Sequence, residues 1–366
     1  ATGDLEWLPE RGGELIIEGA RPFASLAEHD TATDRFHIAG VMGPDEFHDG
    51  APDAPGSGLR DNTYTNVLAS WVATRAARTL ALLHGHRGEG LRDRLRVTDE
   101  EIAGWARLST RLAVGVHRDG ILTQFDGYES LQELDWDHYR EEYGNIGRLD
   151  LILESENDST NRYKLAKQPD VVMLVYLLGH DGLRAQLATL GYPFSEQDLT
   201  RTVEYYLART ANGSTLSRVV NASVLAGIDP SRSWIAFREA LIADLDDSQG
   251  GTTREGIHLG AMAGTIDLPV RSFAGMALGD DELVFAPRLP PNLTRVGFQI
   301  RYRGHLVDVM LRDRSLELRV HAGSAPAIHV RVGAVAVPLS AGQTKTFAIG
   351  PGTSARDATN REGGLD

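Results

Sequence analysis

In the eleven residues GVMGPDEFHDG, from Gly40 to Gly50, a Gly-Pro turn is followed at once by two carboxylates, a phenyl ring and an imidazole. Proline presets φ and glycine tolerates backbone conformations that other residues avoid, which accounts for Gly43 and Pro44. Glu46 stands between Asp45 and Phe47, a second acid and an apolar ring. Both kinds of neighbour disfavour ionisation, the setting in which a carboxylic acid keeps its proton and serves as a general acid. A solvated acidic turn uses the same residues, and composition by itself favours that plainer use.

Three other stretches carry groups suited to chemistry. In ANGSTLS, Asn212, Gly213, Ser214 and Thr215 stand where a helix is expected to open. Free backbone N–H groups and two hydroxyls would then face a common anion such as phosphate. An ordinary Ser/Thr cap is the commoner use of such residues. Lys167 and Gln168 offer a cation and an amide to sugar hydroxyls just before an apolar run, although lysine at a helix start is unremarkable. Glu255 and His258, three apart in the glycine-rich TTREGIHLGAMAGT, would share one face of a helix. A structural Glu-His pair is an equal alternative there. The histidines show no metal-binding spacing such as HExxH, and Asp126 to Asp137 lacks the alternation and glycine of a calcium loop, so no metal is expected.

The elements that must hold these groups are mostly helical. Asn66 to His84 has apolar rows at helical spacing. Thr98 to Glu101 forms a capping box before IAGWARLSTRLAVGV, and Ser195 caps EQDLTRTVEYYLA. Asp170 to Leu178 reads as a buried helix, with a strand as the other reading that periodicity permits. Thr215 to Ala226, the run after Pro230, and His258 to Met276 complete the helical part. From Glu282 short alternating runs punctuated by Gly, Asp and Pro predict antiparallel strands. The expected plan is mainly α. Residues 1–280 are expected to form a helical barrel or array, residues 281–352 a small antiparallel β-sandwich, and residues 353–366 a polar, flexible tail.

Composition narrows the function. The chain has 366 residues with 42% hydrophobic content, 51 acidic and 37 basic side chains, and a net charge of −14. Such a balance does not suit phosphate-backbone binding, so nucleic acid is not an expected partner. With 0 cysteines there is no disulfide framework and no thiolate nucleophile. No apolar run approaches the roughly 20 residues that span a bilayer, and the opening stretch lacks the plan of a signal peptide. The expectation is a cytoplasmic protein with no membrane partner.

GVMGPDEFH, DNTYTNVLA, KQPDVV, GSTLS and EGIHLGAMAGT, in that order, resemble glycoside hydrolase family 65 across essentially the whole chain. That family holds phosphorylases of maltose, trehalose, kojibiose and related α-glucosides, with a few hydrolases. The resemblance implies an alpha/alpha six-fold barrel followed by a C-terminal β-sandwich. It implies Glu46 as general acid, Lys167 and Gln168 in the glucose subsite, and Glu255 and His258 near the active site. Asn212 to Thr215 fall in the phosphate loop.

Phosphate is already an anionic nucleophile, so a phosphorylase needs no second carboxylate, whereas an inverting hydrolase does. The implied reaction is inverting phosphorolysis of an α-linked glucose disaccharide to β-glucose 1-phosphate, with inorganic phosphate as co-substrate and no cofactor. A hydrolase of the same family and a non-catalytic carbohydrate-binding remnant are the alternatives. Asn212 and Asn221 stand where related sequences usually carry histidine, which removes positive charge from the phosphate loop. The family's upstream FWD motif is absent, so the chain is expected to begin inside the barrel. The missing N-terminal portion of the same protein is then a partner, and a homodimer is an assembly the resemblance allows.

Overall fold

The computed structural model describes residues 6–83, 85–247, 251–279, 281–312 and 314–350. The tail expected over residues 353–366 lies outside the described residues. The chain divides into two compact units, one ending at Ser217 and one beginning at Arg218.

The first unit is helical. Its elements are α1 (Gly13–Leu26), a two-stranded ribbon of β1 (Glu28–Asp30) and β2 (Arg35–His37), α2 (Thr63–Leu82), α3 (His86–Leu95) and α4 (Asp99–Arg111). They are followed by α5 (Trp136–Tyr143), α6 (Leu149–Ser155), α7 (Asp170–Thr189), α8 (Glu196–Leu207) and the start of α9 (Thr215–Leu225). Local signals set most of the starts. Thr98 and Glu101 exchange both capping-box bonds at 3.1 Å to open α4. Ser195 does the same with Asp198 at α8. Each box satisfies N–H groups that a helix leaves orphaned in its first turn.

Of its two readings, the apolar run from Asp170 is helix. It begins after Pro169 and breaks at Gly179, whose φ of 73° no helical residue adopts. Small buried residues along α2 (Ala69, Ala73, Ala76) let it pack closely against α1, α4 and α7.

The second unit carries the remainder of α9, then α10 (Pro230–Ile242) and α11 (Leu259–Leu268). The chain then enters β3 (Met276–Leu278), β4 (Glu282–Phe285), β5 (Arg295–Tyr302), β6 (His305–Arg312), β7 (Ser315–Val320), β8 (Ile328–Val332), β9 (Val335–Leu339) and β10 (Thr344–Ala348). One sheet runs β10-β7-β6-β5 with every pair antiparallel; the other runs β3-β4-β8-β9. Alternation puts Leu283, Phe285, Val307, Val309, Leu316, Leu318, Val330 and Phe347 into one core shared by the two sheets, as a sandwich requires. One feature departs from the all-antiparallel expectation. β4 and β8 pair in parallel, Leu283 opposite Val330. Alternation reports which face a residue occupies and is blind to strand direction, so that pairing is invisible in the sequence. Met276 likewise opens a strand rather than closing the last helical segment.

No helix among the described residues is long and apolar enough to cross a membrane.

Candidate active site

The Gly-Pro turn is seated on two buried side chains. A Cβ at Gly43 would lie 1.7 Å from Asp170 Oδ2 and 2.7 Å from Asn62 Nδ2, so only glycine allows this approach. Asn62 Nδ2 donates to Asp170 Oδ2 at 2.6 Å, and the Asp45 N–H donates to Asp170 Oδ1 at 2.7 Å. Through its other atom, Asn62 caps α2 by accepting from the Thr65 N–H at 3.0 Å. The starts of α2 and α7 are therefore joined beneath the turn. Burial of Asp170, and then the nearby charge of Asp45, push its carboxyl pKa well up. The donors from Asn62 and Asp45, together with the helix N-termini, favour the anion but do not outweigh this.

Asp45 ties the turn to the Lys167–Gln168 loop. It is 2% exposed, and its Oδ1 accepts from the Lys167 N–H at 2.6 Å and from the Gln168 N–H at 3.3 Å. Its Oδ2 accepts from Gln124 Nε2 at 3.1 Å and lies 3.2 Å from His48 Nδ1. Gln168 adds a second tie by donating from Nε2 to the Pro44 carbonyl at 2.9 Å. Thr63 fixes Gln124 in turn, its N–H donating to the Gln124 carbonyl at 2.9 Å.

Glu46 points the other way. Its φ is 64°, a left-handed conformation that costs an L-residue about 1–2 kcal/mol. The side chain is 63% exposed, and Lys167 Nζ lies 3.0 Å from its Oε2. The expectation that Asp45 and Phe47 both flank this carboxylate is corrected here. Phe47 turns inward to pack with Leu165, Ala211, Leu149 and Leu153, and Asp45 is enclosed by N–H donors. What faces Glu46 is a cation.

The same apolar cluster anchors all three segments. Phe47 adjoins Glu46, Leu165 precedes Lys167 by two residues, and Ala211 precedes Asn212. Backbone bonds also join these segments: Ala166 N–H donates to the Arg209 carbonyl at 2.9 Å, and Ala211 N–H to the Ala166 carbonyl at 2.8 Å. Ser217 Oγ reaches the Lys167 carbonyl at 3.1 Å. The acid turn, the lysine loop and the start of α9 are thus one constellation.

The Asn212–Thr215 loop differs in detail from an open anion cradle. Asn212 is left-handed (φ 54°), and Gly213 packs so closely that a Cβ would lie 1.8 Å from the Gly147 carbonyl oxygen. Thr215 is buried, and Ser214 Oγ accepts from the Leu216 N–H at 3.2 Å. The two hydroxyls therefore do not point outward together, because one fills the interior and the other closes the first turn.

Glu255 and His258 lie in the second unit and do not share a helical face. Glu255 ends a short 3-10 turn (Thr252–Glu255), Gly256 takes a φ of 142°, and His258 sits at the start of α11. The partner of His258 is Asp244, with Nδ1 to Oδ1 at 2.6 Å and the backbone N–H donating to Oδ2 at 2.9 Å. That pairing holds the Asp244 carboxyl below its usual range.

Asn62, Gln124, His48 and Asp170 were not singled out from the sequence. Three of them stand inside quoted motifs, His48 in GVMGPDEFH, Asn62 in DNTYTN and Asp170 in KQPD, and that was the available signal. Among the described residues no group of three or more His, Asp or Glu side chains is placed to hold a metal.

Residues 1–267 match the glycosyl hydrolase family 65 central catalytic domain. The chain belongs to glycosyl hydrolase family 65. Residues 276–334 match the C-terminal domain of the same family. An uncharacterized glycosyl hydrolase of Mycobacterium tuberculosis is 47% identical over 343 residues, 94% of this chain and 26% of that protein. Trehalose 6-phosphate phosphorylase of Lactococcus lactis is 33% identical, covering 88% of this chain and 40% of its own length. Kojibiose phosphorylase of Thermoanaerobacter brockii is 27% identical over 87% of this chain and 39% of its own. The chain thus spans well under half the length of these family members. A solved structure, "Putative kojibiose phosphorylase from human microbiome", superposes with a TM-score of 0.76 at 21% identity, covering 95% of this chain and 47% of that one. This likeness carries the fold, and agrees with a helical barrel portion followed by a β-sandwich.

Proposed function

We propose that this chain is the acid-bearing part of an inverting α-glucoside phosphorylase, with Glu46 as general acid and inorganic phosphate as nucleophile. The observation that carries the reading is the setting of Glu46. It is an exposed carboxylate on a turn that points it outward, beside the Lys167 ammonium at 3.0 Å. Of the other carboxyls here, Asp45 and Asp170 are buried and bound to N–H donors, and Asp49 accepts from Asn161 Nδ2 at 2.7 Å, so each is already engaged and none is offered as a base to activate water. A lone acid beside a cation suits attack by an anion that is nucleophilic without a base.

In the proposed cycle, Lys167 and Gln168 bind glucose hydroxyls, and Lys167 leaves Glu46 for the sugar as the site fills. Once Lys167 has moved away, Glu46 takes up a proton from solvent and gives it to the glycosidic oxygen as the bond to the anomeric carbon breaks. Phosphate attacks the opposite face, yielding β-glucose 1-phosphate and the freed acceptor sugar. Asn212, Gly213 and Ser214 stand at the opening of α9, against the lysine loop, and are the groups proposed to meet phosphate, while the buried Thr215 starts the helix. Asn212 supplies hydrogen bonds without charge, which points to weak phosphate affinity.

The relatives named for kojibiose and trehalose 6-phosphate define the first substrates to try. The test is sugar release by the intact protein from kojibiose, trehalose, trehalose 6-phosphate and maltose, with and without phosphate. Phosphate-dependent formation of β-glucose 1-phosphate is expected. Turnover that is unchanged when phosphate is withdrawn would establish hydrolysis instead, the reading that the neutral Asn212 favours.

A further inference from the structure

The interior beneath the acid turn holds an imidazole whose two nitrogens both face acceptors. His48 is 1% exposed, with Nε2 at 3.0 Å from the Tyr163 carbonyl oxygen and Nδ1 at 3.2 Å from Asp45 Oδ2. A carbonyl oxygen can only accept, so Nε2 carries a hydrogen. In a neutral ring Nδ1 would then present a lone pair to Asp45. Asp45 already accepts from the Lys167 N–H, the Gln168 N–H and Gln124 Nε2, the surroundings of an ionised carboxylate. A lone pair against that oxygen repels, whereas an N–H completes it with a fourth donor.

We propose that Asp45 and His48 form a buried carboxylate–imidazolium pair that holds the acid turn against the Lys167–Gln168 loop, making Asp45 a positioning residue for Glu46 and Lys167. The inference rests on the reading of Glu46 as the general acid.

Several groups bear on the charge of His48 from the elements around it. The Asp45 carboxylate lies on its own turn. Asp49 follows on the same segment, its carboxyl held below the usual range first by the hydrogen bond from Asn161, with His48 the smallest contribution. The rings of Phe125 and Tyr128 pack at centroid distances of 5.0 and 5.9 Å. Asp170 lies on the far side of Asp45, joined to its N–H. Burial opposes a charged imidazole, so it is the carboxylates that keep the second proton in place. Gln124 gives the site a means of accommodating change. Its Oε1 is buried without a hydrogen-bond partner, so an amide flip would present an acceptor to Asp45 in place of a donor.

Two variants of the intact protein separate positioning from simple stability. Asp45→Asn keeps an acceptor for the Lys167 and Gln168 N–H groups and can donate its amide to a neutral His48. Asp45→Ala keeps neither. In 15N-histidine-labelled protein, with His48 assigned by its loss in His48→Gln, both ring nitrogens are expected to read as protonated from about pH 6 to about pH 8. In Asp45→Asn, Nδ1 should move to the unprotonated range. Amide exchange at Lys167 and Gln168 should accelerate in Asp45→Ala and stay slow in Asp45→Asn. Turnover should fall about 100-fold in Asp45→Ala, the order expected when an acid is misplaced by about 1 Å. The Asn variant should remain within about tenfold of wild type, a loss the size of one hydrogen bond.

An unprotonated His48 nitrogen in the wild type overturns the ion pair. Full turnover in Asp45→Ala at reduced stability overturns the positioning role. If the wild type turns over no α-glucoside, the reading of Glu46 fails, and the histidine signals and amide exchange still decide the pair. Should Asp45→Ala not fold, the histidine signals of the wild type and of Asp45→Asn decide it.

Discussion

Gly43 and Asp170 compete for the same space: a Cβ on Gly43 would lie 1.7 Å from Asp170 Oδ2. The turn that presents Glu46 therefore rests directly on a buried carboxyl at the start of α7, and every group in the constellation inherits that seating. Gly43→Ala should force Asp170 and Asn62 apart. A loss of about 1–3 kcal/mol is expected, the range for overpacking. Denaturant midpoints read this directly, and an unchanged midpoint would mean that the turn can lift away from Asp170 without cost.

Glu46 should matter for turnover and hardly at all for folding. Its side chain is 63% exposed, so Glu46→Gln should leave stability within about 0.5 kcal/mol of wild type. Turnover should drop by about 10²–10⁴-fold, the usual contribution of a general acid, with sugar binding retained. The left-handed backbone adds a second expectation. Glu46→Gly should be more stable than Glu46→Ala by roughly 1 kcal/mol, because glycine alone is at ease at a φ of 64°. Equal stabilities of the two variants would contradict the backbone conformation.

Asp170 makes stability fall as pH rises. In the unfolded chain an aspartate ionises near 3.9, whereas burial and the charge of Asp45 push Asp170 up to about 8 in the fold. Between those values the folded protein holds a proton that the unfolded chain has lost. The stability it contributes is complete below about pH 4 and is lost as pH climbs through 8, at a slope approaching about 1.4 kcal/mol per pH unit. Carboxylates held below their usual range, such as Glu101 beside Arg21, act on the acid side of that window. Comparing denaturation of wild type and Asp170→Asn from about pH 5 to about pH 8 isolates the effect. The slope should flatten in the variant even though its amide opposes that of Asn62, and parallel curves would count against a protonated Asp170.

Restoring charge to the α9 loop should tighten phosphate binding. Asn212 is left-handed, and histidine is among the residues that tolerate that conformation. Asn212→His should lower the KM for phosphate several-fold, most strongly below about pH 6.5 where the ring is charged. A KM that ignores both the substitution and the pH would place phosphate elsewhere.

Much of the frame was legible in the residues themselves. The capping boxes at Thr98 and Ser195, the helix from Asp170 and the alternating strands from Glu282 appear in the structure where their patterns predict them, although a first short strand already opens at Met276. Such signals act between residues a few positions apart, so reading them needs no knowledge of the fold. The pairing of His258 was not legible in this way. It bonds to Asp244, fourteen residues upstream, and the glycine at 256 breaks the helical spacing that would have set it beside Glu255.

By itself, then, the sequence determined which residues carry acid, cation and hydroxyl, and which segments become helix or strand. The tertiary structure decided which acid is which. Glu46, Asp45 and Asp170 are three carboxyls in two short motifs, and nothing in their composition ranks them. The left-handed turn at Glu46 sends one to solvent, while contacts across 122 and 125 residues of chain enclose Asp45 against Lys167 and Asp170 against Asp45. Charge state follows from burial and from donors brought together over such distances, and only the folded chain assembles them.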